Sequence, residues 1–187
     1  EVRRAFGVAS GDALALVWPG RVSHRVEGLP WVASASTSRS WPHTVRIRVV
    51  PRVPVGYVSV PGRSGTPGRV VLVDGSGQVL WSATEVPGAV PELVGAGDVA
   101  RPGGRVEPTA LLRSAGSLTP DLAAAARAVV LADGSLSVRT AGGTEVRFGR
   151  PTDVAAKSRV AAAVLATLGD LHPTYLDVSV PSSPVSG

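Results

Sequence analysis

Apolar and polar residues alternate along several short stretches of this 187-residue chain, as they do in β-strands with one buried face. Residues 45–49 alternate valine or isoleucine with two arginines, which predicts a half-buried antiparallel strand. The other predicted strands are residues 31–37, 55–60, 69–73, 78–81, 128–132, 136–140, 145–148 and 175–180. Short Gly, Pro and Asp-Gly turns separate many of these stretches, and such turns favour antiparallel pairing.

Apolar residues at helical spacing predict helices between the strands. Residues 152–168 carry the longest such pattern, with Val154 and Ala161 among the inward-facing positions. A further helix starts at residues 119–121, where a capping hydroxyl precedes a proline at the first helical position and an acid near the positive dipole end. Shorter helices are predicted at residues 2–8, 20–28 and 108–118.

The segment Pro51-Arg52-Val53-Pro54 interrupts the strand pattern, because proline lacks the backbone donor that a sheet ladder needs. We place a domain boundary here. Residues 1–51 are predicted to form a small α/β domain, and residues 52–187 a mainly antiparallel β domain with helices packed on the sheet. The expected fold class is therefore α+β.

The chain carries a formal net charge of +5, and Lys157 is the one lysine among its 19 basic residues. Such a balance permits contact with nucleic acid or with an anionic membrane surface. The arginines are spread along the sequence without a basic run, so a solvated basic surface is the favoured interpretation.

Cysteine and methionine are both absent from the chain. Without cysteine there is no disulfide, thiolate metal site or cysteine nucleophile, which suits an oxidising exterior compartment. Without methionine, residue 1 is not a natural start, so we expect a processed or engineered fragment. No apolar stretch approaches the ~20 residues of a membrane span, so any anchor is expected upstream of Glu1.

Residues able to carry catalysis or to hold a metal do not cluster in the sequence. His24, His43 and His172 lie far apart and outside any ligand motif. The G-x-S-x-G motif of hydrolases and the phosphate-binding P-loop are absent. Asp153 and Lys157 are four residues apart, which is typical of an exposed ion pair on a helix. We therefore expect a binding protein without enzymatic activity, metal or cofactor.

Three blocks of sequence follow one another in a specific order. The first reads V-R-R-A-F-G-V at residues 2–8, R-V-E-G-L-P-W-V-A-S-A at 25–35 and S-W-P-H-T-V-R-I-R-V at 40–49. The second reads R-V-P-V at 52–55, L-V-D at 72–74, G-Q-V-L at 77–80 and V-P-E-L at 90–93. The third comprises residues 131–149, Lys157 and Y-L-D-V-S-V-P at 175–181. Together these blocks resemble the extracytoplasmic region of the bacterial FtsQ/DivIB cell division family, with a POTRA module followed by a β domain.

The resemblance implies a single-pass protein of the cell membrane whose POTRA and β domains lie outside the membrane at the division septum. The membrane helix and the first POTRA strand would lie upstream of Glu1. The resemblance also implies a scaffold that binds FtsB/DivIC-like and FtsL-like proteins, with FtsW and FtsI as further partners, and that helps to regulate septal peptidoglycan synthesis. It implies no catalysis, cofactor or nucleic acid, and the arginine bias fits a high-GC Gram-positive source.

The predicted C-terminal strand is the candidate partner site, because a sheet edge offers unpaired backbone groups to a partner strand. Side chains would alternate along it, with Leu176 and Val178 toward the core, and Tyr175 would be the anchor. Packing of the Tyr175 ring on helix 152–168 is the alternative. In some family members the partner pairs with a further strand, which in this chain would lie beyond Gly187, because residues 182–184 make a poor strand. The candidate partner-binding residues are Tyr175, Leu176, Asp177, Val178, Ser179 and Val180.

Two other functions remain open at this point. One is a POTRA-type binding module of another membrane assembly system, which would call for a following barrel of alternating strands. The other is a basic nucleic-acid-binding domain, whose DNA affinity would depend strongly on salt.

Overall fold

The structure is a computed structural model that describes residues 18–40, 44–62, 68–86, 88–97, 101–169 and 171–187. The chain divides into two compact units, Glu1–Val53 and Pro54–Gly187. The helix predicted at residues 2–8 lies outside the described residues.

The described part of the N-terminal unit contains one helix packed on a two-stranded hairpin. Helix α1 spans Pro19–Glu27, and its proline at the first position has the backbone φ that a helix start requires. Strands β1 (Val32–Ser40) and β2 (Thr44–Pro51) pair antiparallel. Val22, Val26 and Val32 are buried and form the apolar contact between helix and hairpin.

Polar contacts fix the two ends of this hairpin relative to the helix. The Ser23 hydroxyl lies 3.0 Å from the Thr37 hydroxyl, and Glu27 Oε1 accepts a hydrogen bond from the Ala35 N–H at 3.0 Å. At the base of the hairpin, Arg52 donates from its backbone N–H to Trp31 and from Nε to the Val32 carbonyl. These bonds close the unit where the predicted boundary segment begins.

The C-terminal unit is built on a nine-stranded sheet of described residues with the order β11-β10-β9-β8-β7-β6-β3-β4-β5. Three pairings are parallel, namely β3 with β6, β6 with β7 and β9 with β10, and the other five are antiparallel. The strands are β3 (Gly56–Val60), β4 (Arg69–Val73), β5 (Val79–Ala83), β6 (Glu92–Val94), β7 (Ala126–Ala132), β8 (Ser135–Thr140), β9 (Glu145–Gly149), β10 (Tyr175–Asp177) and β11 (Val185–Ser186).

Three helices cover one face of this sheet. They are α2 (Thr109–Gly116), α3 (Pro120–Ala125) and α4 (Val154–Leu168). Their buried residues join a single apolar core with the inward-facing strand residues, including Leu111, Leu136, Val146 and Phe148. The fold class is α+β, with helices packed on a mostly antiparallel sheet, as the sequence predicts.

Three parts of the strand assignment differ from the sequence prediction, and one of them is strand β11, which was not predicted. Strand β6 lies between the predicted strands 78–81 and 128–132, where no strand was predicted, and it is too short to show an alternating pattern. The strand predicted at 175–180 ends at Asp177, so the predicted end at Val180 was wrong. The physical reason is local: the Val178 N–H still bonds to the Arg147 carbonyl of β9, but the Ser179 N–H bonds back to Asp177 Oδ1 at 2.8 Å, and this turn ends the ladder.

Candidate protein-binding edge

The C-terminal edge of the sheet consists of two very short strands. Strand β10 runs parallel to β9, with Asp177 opposite Arg147. Strand β11 then folds back antiparallel on β10, with Val185 opposite Asp177. The outermost strand is therefore β11, a segment that the sequence pattern had not identified as a strand.

Side chains of β10 and the residues after it alternate between the core and the opposite face. Leu176 and Val178 are almost completely buried, whereas Tyr175 and Asp177 are half-buried and Ser179 is exposed. This is the orientation that the sequence predicts. The Tyr175 ring therefore lies on the face opposite α4 and does not pack on that helix.

We call the uncovered face of strands β8 to β10 the open face. Two rows of side chains cross it, because residues that face each other on neighbouring strands point the same way. The rows are Arg139, Glu145 and Tyr175, and Ser137, Arg147 and Asp177. Except for Tyr175, these residues line a shallow concavity of about 410 Å³ that also includes Ser179. Charges of both signs alternate on this face.

Tyr175 is held on the open face by its neighbours. The guanidinium carbon of Arg147 lies 4.5 Å from the centre of the ring, a cation–π contact. Arg147 Nε also contacts Glu145 Oε2 at 2.9 Å, which fixes the guanidinium beside the ring. Backbone bonds in both directions join Tyr175 and Gly187, at 3.0 and 3.2 Å. A Cβ at position 187 would lie 2.9 Å from ring atom Cε1, so glycine leaves room for the ring.

Asp177 is a fixed negative charge at the same edge. Hydrogen bonds from the hydroxyl and the backbone N–H of Ser179 hold the pKa of Asp177 below its usual range, and nearby Arg147 and Lys157 act in the same direction. The carboxylate therefore stays ionised at neutral pH beside the guanidinium of Arg147.

Lys157 does not form the exposed ion pair with Asp153 that their spacing suggested. Its side chain is buried at 6% exposure, and Nζ donates to the carbonyls of Phe148 at 2.9 Å and Arg150 at 3.2 Å. The buried positions of α4 include residues 154, 157, 158 and 161, so the apolar face runs through the lysine. The helical spacing from Val154 could have predicted from the sequence that Lys157 faces the core.

The contact with Phe148 has a structural cause. Leu136 pairs with Gly149 and Ser137 with Arg147, which leaves Phe148 as an extra residue in the ladder between β8 and β9. Such a bulge removes a carbonyl from the regular ladder, and a buried carbonyl needs another donor. Lys157 supplies that donor and ties α4 to the end of β9, the strand next to β10.

No cluster of three or more metal-binding side chains occurs among the residues that the structure describes. His172 lies beside the β8–β9 turn, where a Cβ on Gly142 would be 2.9 Å from its Nδ1. Within the described ranges, no helix is long and apolar enough to cross a membrane.

Comparison with known proteins assigns a class to each unit. Residues 1–52 match the family model of the FtsQ-type POTRA domain, and residues 64–179 match that of the C-terminal region of cell division protein FtsQ/DivIB. The fold and these matches define a division protein with an FtsQ-type POTRA domain followed by a β domain.

Similar proteins of Streptomyces span the whole chain. The cell division protein FtsQ of Streptomyces coelicolor is 30% identical over 196 residues, which cover 100% of this chain and 71% of that protein. FtsQ of Streptomyces collinus is 30% identical with the same coverage, and FtsQ of Streptomyces bingchenggensis is 28% identical over 98% of this chain and 69% of its own length. The chain belongs to the FtsQ/DivIB family of cell division proteins. These relatives agree with the expected high-GC Gram-positive source.

Proposed function

We propose that this chain is the extracytoplasmic part of a non-enzymatic division scaffold that binds a partner by adding a partner strand to β11. The observation that supports this proposal is the position of β11 as the outermost strand of the nine-stranded sheet. The partners are FtsB/DivIC-like and FtsL-like proteins, through which the scaffold helps to regulate septal peptidoglycan synthesis by FtsW and FtsI. In the full-length protein, a helix upstream of Glu1 anchors the two units in the cell membrane at the septum.

The backbone of β11 offers hydrogen-bonding groups to a partner. Tyr175 and Gly187 exchange two backbone bonds, so in an antiparallel ladder the backbone groups of Ser186, the residue before Gly187, point away from β10. A partner strand beside β11 pairs with these outward groups. Each added bond contributes about 1 kcal/mol net, so side chains must supply the rest of the affinity.

Side chains on the open face supply that remaining affinity. Val185 lies opposite Asp177 and is 54% exposed, so it places an apolar contact at the rim of the open face. Tyr175, Arg147 and Asp177 follow next to it. The partner segment that fits this edge is an extended strand with an apolar side chain against Val185 and charged side chains that complement Arg147 and Asp177.

Removal of the outward N–H of Ser186 tests the pairing. Ser186→Pro removes that donor at an exposed edge, where proline costs the fold little. We expect binding of an FtsB-like peptide to weaken about fivefold or more, as for one lost hydrogen bond of about 1 kcal/mol. Peptide titration by calorimetry measures the change.

Ser186→Ala is the matched control, because it removes the same side-chain hydroxyl but keeps the outward backbone N–H. It should leave both peptide affinity and melting temperature unchanged. Equal affinities for the Ser186→Pro variant and the parent would rule out strand addition at β11.

A further inference from the structure

The net positive charge of the chain resides entirely in one unit. Residues 1–53 contain eight arginines and three acidic residues, whereas residues 54–187 contain eleven basic and eleven acidic residues. The absence of a basic run in the sequence conceals this division. The N-terminal unit is therefore strongly basic for its size, and the C-terminal unit is neutral.

Part of this charge lies on one exposed face of the β1–β2 hairpin. Arg46 and Arg48 are exposed and lie opposite Ser38 and Ser36 across the hairpin, and directly opposite residues share a face. Val50, which is 48% exposed, extends the row. We call this surface the hairpin face and define it by its residues, which are Ser34, Ser36, Ser38, Arg46, Arg48 and Val50.

The guanidinium groups of Arg46 and Arg48 have no protein partner among the described residues. Neither group makes an ion pair or a hydrogen bond in the part of the chain that the structure describes. Glu27 is the one acidic side chain among the described residues of this unit, and its carboxylate accepts the Ala35 N–H. Both guanidinium groups are therefore available to an anion from outside, and the serine hydroxyls beside them add further donors.

We propose that the hairpin face binds the phosphate headgroups of an anionic lipid bilayer. Arg46 and Arg48 are two residues apart on one strand, so their Cα atoms are separated by roughly 6.8 Å and can serve neighbouring phosphates. All six residues of the face are exposed, so it is an open surface that suits a planar charged partner. Val50 at the end of the row is suited to the boundary between headgroups and acyl chains.

A bilayer fits this surface better than nucleic acid does. Binding of single strands relies on aromatic side chains that stack on bases, and specific reading of duplex DNA uses amide or guanidinium groups within a groove. The hairpin face has no aromatic residue and carries an aliphatic one instead. The serines and arginines suit the phosphate layer of a bilayer, and the valine suits the apolar layer beneath it.

Vesicle flotation with the whole chain tests the proposal. Vesicles of phosphatidylglycerol mixed with phosphatidylcholine should bind the parent protein at low salt, and vesicles of phosphatidylcholine alone should not. The double variant Arg46→Thr, Arg48→Thr should bind about thirtyfold more weakly, because each arginine near an anionic surface contributes about fivefold. Arg46→Lys, Arg48→Lys keeps the charge and should retain most of the binding.

The matched control is the double variant Arg69→Thr, Arg127→Thr. Both arginines are exposed on strands of the C-terminal unit, and the control loses the same two positive charges as the hairpin variant. This control should bind vesicles as the parent does. An equal loss in both threonine variants, or no binding by the parent, would overturn the proposal. So would tighter binding of the parent to a DNA duplex than to the vesicles, since nucleic acid would then be the partner. The double threonine variant at residues 46 and 48 could have a lower melting temperature than the parent. In that case the double variant Arg46→Gln, Arg48→Gln replaces it, and the same outcomes support or overturn the proposal.

Discussion

Tyr175 illustrates how a single side chain joins the sheet to its candidate partner surface. Its backbone bonds to Gly187 on β11, while its ring lies on the open face against Arg147. Tyrosine suits such a position because the ring gives a large apolar contact and the hydroxyl remains polar. We therefore propose Tyr175 as a partner anchor whose ring lies outside the apolar core.

Replacement of Tyr175 by alanine should separate binding from stability. We expect Tyr175→Ala to weaken binding of an FtsB-like peptide at least about tenfold, as for an interface anchor. The melting temperature should fall only slightly, because an exposed cation–π contact contributes about 0.5–1 kcal/mol. Peptide titration and a thermal melt measure the two effects.

The other tyrosine of the chain provides the control. Tyr57 is also half-buried, but it lies on β3, three strands beyond β8 and distant from β11 in the strand order. Tyr57→Ala should leave peptide binding unchanged. If Tyr175→Ala binds normally, or if it unfolds the protein, Tyr175 is not the anchor of the partner site.

At the scale of elements, one buried lysine ties helix α4 to the strand next to the sheet edge. Lys157 satisfies the carbonyl that the bulge at Phe148 leaves out of the β8–β9 ladder. Strand β9 is the neighbour of β10, so the bulge and its lysine lie one strand from the candidate partner site. The helix thereby supports an edge whose own strands are only three and two residues long.

Removal of this donor should destabilise the C-terminal unit. Lys157→Met keeps an unbranched chain but leaves the Phe148 carbonyl without its donor, which costs about 1–3 kcal/mol. Chemical denaturation should report this loss. Arg159→Met on the exposed side of the same helix is the control, and it should change stability by less than about 0.5 kcal/mol. Equal stability of Lys157→Met and the parent would show that the bulge does not depend on the lysine.

The sequence predicted long periodic elements well and short ones poorly. Helix α4 and the alternating strands β8 and β9 contain enough residues for a period to appear, and β7 shows a continuous apolar run. Strands β6 and β11 have three and two residues and owe their pairing to their neighbours. Helical spacing indicates the buried side of Lys157, but its bond to the Phe148 carbonyl depends on a bulge between two strands, which no local pattern contains.

The candidate site shows the same limit. The alternation of Leu176 and Val178 with Tyr175 and Asp177 followed from strand geometry. The position of the sheet edge did not follow from strand geometry, because it depends on whether residues 182–187 turn back onto β10. That turn depends on bonds such as Ser179 N–H to Asp177 Oδ1 and Ser183 N–H to the Val180 carbonyl.

The whole molecule divides its properties between two units. The N-terminal unit carries the net charge and an open hairpin face, whereas the neutral C-terminal unit carries the large sheet and its short edge. We expect the hairpin face and the sheet edge to act independently. Binding of the hairpin face to an anionic membrane should weaken as salt concentration rises, whereas strand addition at the sheet edge should depend much less on salt. Such a division would suit a protein that recruits a partner while contacting a membrane.

Amide hydrogen exchange at Ser186, followed by NMR with and without an FtsB-like peptide, tests strand addition most directly. In the free protein the Ser186 N–H points away from β10 and should exchange fast, whereas the Gly187 N–H already bonds to Tyr175. We expect the bound peptide to slow exchange strongly at Ser186 and only slightly at Gly187. Unchanged exchange at Ser186 in a saturated complex, with new protection on α4 or elsewhere, would contradict it.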